Sequence, residues 1–228
     1  MSNLVDPKNA HQNRKAYLEV RANAEKGNAI CQALLGCMFN SGSSHVPRDH
    51  RQAVIWFRKS AAQGCVIAEL ELGKCCLGGL GMREDHKQAV EWFRKAAEQG
   101  LDEAQEWLSD CYDQGIGCLQ DPIQSAFWLR KAAEKGLSRA QFSLGHRFLA
   151  GSGVPQDNSQ AAEWFRKAAE QGMADAQTNI GECYLKGIGV AQDLEQAKEW
   201  YRKAADAGEQ EAKEMLSQLD DSSTSSSS

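Results

Sequence analysis

Several features that would mark a specialised class of protein are missing from the sequence. Its 228 residues contain four prolines, and aromatic residues make up 7%. No stretch approaches the roughly 18 consecutive apolar residues that predict a membrane-spanning helix, and residues 1–20 contain no apolar signal-peptide core. With 42% hydrophobic and 25% charged residues, the composition excludes collagen-like and wholly disordered chains. We therefore expect a globular protein without membrane insertion.

An excess of positive charge is also lacking. The chain has 26 Lys/Arg against 31 Asp/Glu, a formal net charge of −5, whereas nucleic-acid binding favours a basic surface. No nucleic-acid partner is therefore expected. The charge is unevenly distributed, because residues 1–65 carry nine basic and four acidic side chains. Ordinary drift of surface charge and a field that orients a partner both remain open.

Tryptophan recurs every 36 residues and divides most of the chain into five similar blocks. The periodic tryptophans are Trp56, Trp92, Trp128, Trp164 and Trp200, and glycines of the same period follow at Gly64, Gly100, Gly136, Gly172 and Gly208. A second motif alternates with the first, at Leu35-Gly36, Leu72-Gly73, Leu108-Ser109, Leu144-Gly145 and Ile180-Gly181. Tandem repeats of this length are typical of solenoid proteins, in which each unit packs on its neighbours.

Each repeat is predicted to form two antiparallel helices. The second begins at an aspartate followed three residues later by a glutamine, as in Asp85 and Gln88. This spacing predicts a capping box, in which the aspartate accepts N–H groups of the first turn and the glutamine reaches back to the cap's own N–H. Trp92 and Phe93 lie on the apolar stripe of that helix, so we expect the periodic tryptophans to be buried.

Gly-x-Gly turns, such as Gly79 and Gly81, join the two helices of most repeats. A phosphate-binding loop would follow a strand and end in Gly-Lys-Ser/Thr, which these turns do not. We interpret them as tight connections that need a positive φ.

The predicted fold is all-α: a right-handed α-solenoid of five tandem 36-residue helix-turn-helix repeats with terminal caps. The predicted segments are an N-terminal segment and capping helix at 1–28, repeats at 29–64, 65–100, 101–136, 137–172 and 173–208, a C-terminal capping helix at 209–219 and a disordered Ser-rich tail at 220–228.

The repeat pattern closely resembles the Sel1-like repeat (SLR) family, α/α relatives of the tetratricopeptide repeat. The fifth repeat carries the pattern most fully, with Ala176, Ile180-Gly181, Tyr184, Gly187, Gly189-Val190, Asp193, Ala197, Trp200, Lys203-Ala204-Ala205 and Gly208. The resemblance implies an α-solenoid adaptor that holds other proteins on a concave surface.

The eight cysteines depart from one secreted subclass of that family, in which helix pairs are joined by disulfides at Cys-x7-Cys spacing. No pair has that spacing here, and Cys75, Cys111 and Cys183 share one repeat position, which suggests buried apolar side chains. Neither a zinc motif nor a Ser-x-x-Lys motif is present. We therefore expect no catalytic residue, metal or other cofactor, and a reducing, cytoplasmic location.

If the repeats curve as tetratricopeptide arrays do, the first helices line the groove. The predicted groove residues are Leu70, Lys74, Leu77, Glu106, Trp107, Asp110, Asp113, Arg139, Phe142, His146, Glu182 and Lys186. An acidic middle flanked by apolar side chains would suit an amphipathic or basic segment. The apolar members could instead pack on adjacent helices. Trp107, off the 36-residue period, could be an interaction residue or could fill a gap in packing.

The leading functional hypothesis is a non-enzymatic protein-protein interaction scaffold or adaptor that binds a protein or peptide partner in the groove. We assume a monomer. The alternatives are a hydrolase of the penicillin-binding or β-lactamase kind and a chaperone-like assembly factor.

Overall fold

A computed structural model of the chain describes residues 7–43 and 45–225, with side chains described over 14–43 and 45–220. Those residues form twelve helices and no strand. The helices are α1 Pro7–Glu25, α2 Ala29–Ser41, α3 His50–Ala61, α4 Val66–Gly78, α5 His86–Glu98, α6 Asp102–Gln114, α7 Pro122–Glu134, α8 Ser138–Ala150, α9 Asn158–Glu170, α10 Ala174–Lys186, α11 Leu194–Asp206 and α12 Gln210–Ser225. Within α1 to α6, and again within α7 to α12, each helix packs on the next one along the chain, which confirms the predicted all-α solenoid fold.

The chain divides into two compact units. Unit 1 ends at Gln120 and contains α1 to α6, and unit 2 begins at Asp121 and contains α7 to α12. At the C-terminus α12 continues to Ser225, beyond the predicted capping helix, and residues 226–228 of the predicted tail lie outside the described residues.

The aspartate caps are present in all five second helices, but the glutamines play a different part from the predicted one. Each aspartate Oδ1 accepts the N–H of the glutamine three residues later at 3.0 Å. In four repeats the N–H of the cap itself donates to a first-helix carbonyl, at 2.9 Å, as Asp85 does to Cys76. In these four repeats the glutamine side chain therefore does not accept the N–H of the cap, as a capping box requires, because that N–H already donates to the carbonyl of another helix.

In four of the five repeats, the core of the helix pair is an aromatic ring packed on a glycine. Phe93 is fully buried, and a Cβ added at Gly73 would overlap its ring. The same arrangement joins Gly36 to Phe57, Gly145 to Phe165 and Gly181 to Tyr201. The glycine of the Leu-Gly pair thus allows the two helices to approach closely, and it contacts the residue directly after the periodic tryptophan.

The periodic tryptophans lie nearer the surface than the rings that follow them. Trp128, Trp164 and Trp200 are buried, whereas Trp56 and Trp92 are half-buried, so the expected burial is only partly correct. In each repeat the lysine three residues later holds its ammonium over the indole ring, 4.1–5.0 Å from the centroid. Such cation–π contacts are the reason that tryptophan and lysine recur together.

The second glycine of each Gly-x-Gly turn joins neighbouring repeats. Gly81 has φ +71°, and a Cβ there would overlap the carbonyl oxygen of His50, at the start of α3 in the preceding repeat. Gly117, Gly153 and Gly189 meet the first residues of α5, α7 and α9 in the same way. These turns are structural connections, as predicted.

A buried glutamine in four of the first helices ties its repeat to the one before. The Nε2 groups of Gln32, Gln105, Gln141 and Gln177 donate to the carbonyls of Ala24, Ala97, Ala133 and Ala169, at 3.1–3.2 Å. The second repeat has Glu69 at this position. Glu69 is 6% exposed and accepts a hydrogen bond from Gln99, as Gln141 does from Gln171.

Candidate partner-binding surface

The predicted groove residues lie on the first helices of the repeats, and each unit carries its own set. In unit 1 they lie on α4 and α6, and in unit 2 on α8 and α10. We define the α4–α6 face by Glu71, Lys74, Leu77, Glu103, Glu106, Trp107, Asp110 and Asp113. We define the α8–α10 face by Arg139, Phe142, His146, Asn179, Glu182 and Lys186.

A lysine joins the two helices of the α4–α6 face. Lys74 Nζ lies 2.9 Å from Glu71 Oε1 on its own helix and 2.7 Å from Glu103 Oε1 on α6. Partial burial opposes its charge, but the hydrogen bonds to Glu103 and Glu71 outweigh this effect, so the pKa of Lys74 is raised. Lys74 therefore stays charged and has two carboxylate partners, one on each helix.

Trp107 is anchored on one side and open on the other. It is half-buried, and its ring stacks on Phe93 with centroids 5.5 Å apart and planes 10° apart. Phe93 therefore lies between Trp107 and the backbone of Gly73. The indole therefore fills space beside Phe93 and still presents some surface to solvent. Its role as an interaction residue stays a prediction.

Leu70 is a correction to the predicted groove. It is 2% exposed and is therefore part of the core. Leu77, two turns further along α4, is half-buried and keeps some exposed surface. The helical register alone could not separate these two, because the exposure of Leu70 depends on how the neighbouring helices pack.

The helix α6 carries the negative charge of this face. Its thirteen residues, DEAQEWLSDCYDQ, contain five carboxylates and no basic side chain. Asp110 is exposed, and Glu106 and Asp113 are half-buried. Only Lys74 supplies positive charge among the residues that define the face, so the surface around Trp107 has a negative potential.

Three aliphatic side chains on α2 and α4 are exposed, and two of them, Ile30 and Leu34, are not among the predicted groove residues. Ile30 is 68% exposed, Leu34 47% and Ile67 43%. Ile30 and Ile67 lie five residues before the leucine of their Leu-Gly pairs, as Glu103 does in the third repeat. The repeat register could therefore have identified Ile30.

The α8–α10 face contains a cluster of rings. Phe142 packs edge-on against His146 with centroids 4.6 Å apart, and His146 lies 5.0 Å from Phe165 in the core. Burial of the imidazole against these rings lowers the pKa of His146. Its Nε2 lies 3.0 Å from Asn179 Nδ2 on α10, so a neutral imidazole accepts this hydrogen bond and links the two helices.

The charged residues of the α8–α10 face include a second correction. Arg139 is exposed, and Glu182 pairs with Lys186 one turn later. Lys186 lies six residues after Ile180, whereas Leu77 and Asp113 lie five residues after their own leucines. The equivalent residue in the fifth repeat is Leu185, which is half-buried, so the prediction of Lys186 is one position out of register.

Four of the eight cysteines offer little nucleophilic chemistry. Burial raises the pKa of four thiols, to about 12 for Cys75 and Cys111 and about 11 for Cys76 and Cys183. In the described part of the chain, no three His, Cys, Asp or Glu side chains cluster so as to hold a metal ion. Among the described residues, no helix is both long enough and apolar enough to cross a membrane.

Comparison with known proteins matches both the repeat pattern and the fold. The family model described as Sel1 repeat matches residues 29–65, 66–101, 102–137, 138–173 and 174–209. A search of curated proteins found no match.

Two solved structures of bacterial proteins show the same fold at substantial sequence identity. The protective antigen c5321 of uropathogenic Escherichia coli, which has an SLR fold, is 37% identical with a TM-score of 0.85, over 89% of this chain and 43% of that one. A Sel1 repeat protein from Oxalobacter formigenes is 40% identical with a TM-score of 0.80, over 90% of this chain and 60% of that one. The chain thus spans less than two thirds of either relative.

Proposed function

Since the chain belongs to the Sel1 repeat family, whose members generally mediate contacts between proteins, we propose that it is a non-enzymatic scaffold or adaptor whose α4–α6 face binds a segment of a partner protein. The observation that carries the proposal is the half-exposed Trp107 within the acidic surface of α6. An aromatic side chain with one open face is a favourable anchor for a protein partner.

The chemistry of the face specifies the partner. Carboxylates around an apolar anchor complement Lys and Arg side chains, which contribute to specificity and to the rate of association. Leu77 and the exposed aliphatic side chains of α2 and α4 favour an apolar residue in the same segment. We therefore propose a basic, amphipathic segment as the ligand of unit 1. The α8–α10 face, with Phe142 beside Arg139 and Asn179, is proposed as a separate contact surface of unit 2.

A peptide selection tests this proposal although the partner is unidentified. A random twelve-residue display library is selected on the full chain and on a chain with Glu106→Gln and Asp110→Asn, which remove two charges from the face. Peptides selected on the unaltered chain are expected to be enriched in Lys or Arg together with Leu or aromatic residues. The doubly altered chain should lose that enrichment.

A matched variant controls for net charge. Glu91→Gln with Glu98→Gln removes the same two charges from exposed positions of α5, outside the face. Selection on this variant should return the same peptides as the unaltered chain. Peptides without basic residues, or equal enrichment on both variants, would contradict the proposal.

The thiols support a proposed site of action in a reducing compartment such as the cytoplasm. All eight cysteines are free, and the four with strongly raised pKa values are buried in the repeat cores. Alkylation of the denatured, unreduced protein from its native source should add eight adducts by mass. Each disulfide would remove two adducts, and any such loss would count against this placement.

A further inference from the structure

One repeat lacks a ring that the other four have. The residue four positions after the leucine of the Leu-Gly pair is Phe39, Tyr112, Phe148 or Tyr184, but in the second repeat it is Cys76. Cys76 is fully buried. A thiol fills much less volume than a phenyl ring, so the second repeat lacks the ring volume that the other four repeats place here.

A cleft lies beside this position. Its volume is about 550 Å³, and it is lined by Arg58, Met82, Arg83, Glu84, Asp85 and Gln88. Cys76 Sγ lies 3.7 Å from Met82 Sδ and 3.3 Å from Gln88 Oε1. The two side chains that the thiol contacts are thus both part of the cleft wall, so the cleft adjoins the position of the missing ring.

The repeat position of Arg58 indicates which kind of ligand the cleft would bind. In the next repeat the equivalent residue, Arg94, donates from Nη2 to the hydroxyl of Tyr112 at 2.8 Å. In unit 2 Arg130 lies over the ring of Phe148, 5.4 Å from its centroid. Arg58 occupies the same repeat position beside Cys76, which supplies no ring. A guanidinium and a planar aromatic ring attract each other, more strongly when both are shielded from water.

The charges around the cleft favour a neutral ligand. Two arginines face two carboxylates, so the wall has no net charge. Asp85 Oδ1 accepts the N–H of Gln88 as the helix cap, and Glu84 lies 2.8 Å from His86 Nε2. An anionic ligand would gain from the arginines and be repelled by the carboxylates, whereas a neutral ring avoids this repulsion.

We infer that this cleft of unit 1 is a binding site for an aromatic side chain, phenylalanine or tyrosine, of a partner protein. The bound ring makes with Arg58 the contact that Tyr112 and Phe148 make with Arg94 and Arg130, and it packs beside Met82 and Gln88. None of the lining residues belongs to the α4–α6 face. The inference is therefore independent of the function proposed for that face, and its test does not use that surface.

Blocked amino acids serve as probes of the cleft. The full chain is labelled with ¹³C at the methionine methyl groups, and the Met82 signal is assigned with Met82→Leu. N-acetyl-tyrosine amide and N-acetyl-phenylalanine amide should shift the Met82 signal in a saturable manner. N-acetyl-leucine amide should bind about tenfold more weakly, because it cannot make the cation–π contact. The anion p-hydroxybenzoate tests for a free aromatic acid as the natural ligand.

Two reciprocal variants locate the binding. Cys76→Tyr restores the ring of the other repeats and should abolish the Met82 shift. Tyr112→Cys removes the ring beside Arg94 and should create a second site for the same probes, with twice the stoichiometry. If Cys76→Tyr does not fold, Tyr112→Cys still tests the relation between a missing ring and binding.

Four results would overturn the inference. The first is the absence of any saturable shift of Met82 up to the solubility of the aromatic probes, and the second is a leucine probe that binds as well as they do. The third is tighter binding of p-hydroxybenzoate than of the blocked probes, which would assign the cleft to a small aromatic acid. A shift that persists in Cys76→Tyr would likewise place the binding elsewhere.

Discussion

Glu69→Gln should stabilise the protein, and the gain should depend on pH. Glu69 occupies the position at which buried glutamines in four other repeats donate to a carbonyl of the preceding helix. An ionised carboxylate has no hydrogen to donate, so the second repeat lacks this link. Burial also disfavours the charged form and, although Lys95 opposes the effect, the pKa of Glu69 is raised.

The sign of the pH dependence follows from the raised pKa. The folded protein holds the Glu69 proton more tightly than the unfolded chain, so stability falls as pH rises from the ordinary glutamate pKa, about 4.3, through the higher folded pKa. Glutamine does not titrate and should escape this loss. Near neutral pH, satisfying a buried carbonyl and removing a buried charge should add about 1–3 kcal/mol to the free energy of unfolding.

Thermal unfolding at pH 4 and pH 7 measures the effect. For a chain of this size 1 kcal/mol corresponds to roughly 2–4 °C in Tm, so Glu69→Gln should raise Tm by several degrees at pH 7 and by less at pH 4. The matched converse is Gln141→Glu, since Gln141 has the same pair of contacts. It should lower Tm at pH 7, with a smaller loss at pH 4. A Tm difference independent of pH, or one larger at pH 4, would refute the reasoning.

Three other predictions concern the repeat cores and the turns. Gln177 Oε1 is buried and has no hydrogen-bond partner among the described residues, because Ala207 stands where other repeats have Gln63, Gln99 or Gln171. Ala207→Gln should supply that partner and raise the free energy of unfolding by about 1 kcal/mol. Gly64→Ala should lower the free energy of unfolding by about 1–2 kcal/mol, because alanine is strained at a positive φ. Gly81 has a similar φ, but Gly81→Ala should lower it by about 1–3 kcal/mol more, because the added Cβ overlaps the backbone of His50. Iodoacetamide at pH 8 should modify native Cys75, Cys76, Cys111 and Cys183 far more slowly than the half-buried thiols, since burial raises their pKa values.

Each of these has a simple check. Denaturant titration of Ala207→Gln that shows no gain would mean that water already satisfies Gln177. Equal losses of stability for the two glycine variants would remove the inter-repeat contact as a cause. Peptide mapping that finds the four buried thiols modified as fast as the others would show that the repeat cores open readily.

The repeat pattern predicted the helices and their ends because those depend on local chemistry. An aspartate cap or a positive-φ glycine needs only its own neighbours in the chain. The part expected of Gln88 was wrong because it depends on a competitor: the N–H of Asp85 is taken by the carbonyl of Cys76 in another helix. Periodicity locates a residue along a helix, but it does not reveal which distant groups reach that residue first.

The candidate surface was predictable only as a set of positions. Leu70 and Lys74 are one turn apart on α4, yet the first is buried and the second joins two helices. The sequence leaves Trp107 open as an interaction residue or as a side chain that fills a gap in packing. Its stack on Phe93 implies that truncation would cost stability as well as binding, so carboxylate variants test the surface more cleanly. The cleft beside Cys76 required the comparison of one repeat with the others in three dimensions.

The most direct test of the scaffold measures the affinity of a selected basic peptide for three chains. These are the unaltered chain and two double variants, which lose the same two negative charges at different places. By isothermal titration, Glu106→Gln with Asp110→Asn should weaken binding about tenfold relative to the unaltered chain, and the difference should shrink at high salt. Glu91→Gln with Glu98→Gln should leave the affinity unchanged. Equal affinities for all three chains would show that the α4–α6 face is not where the partner binds.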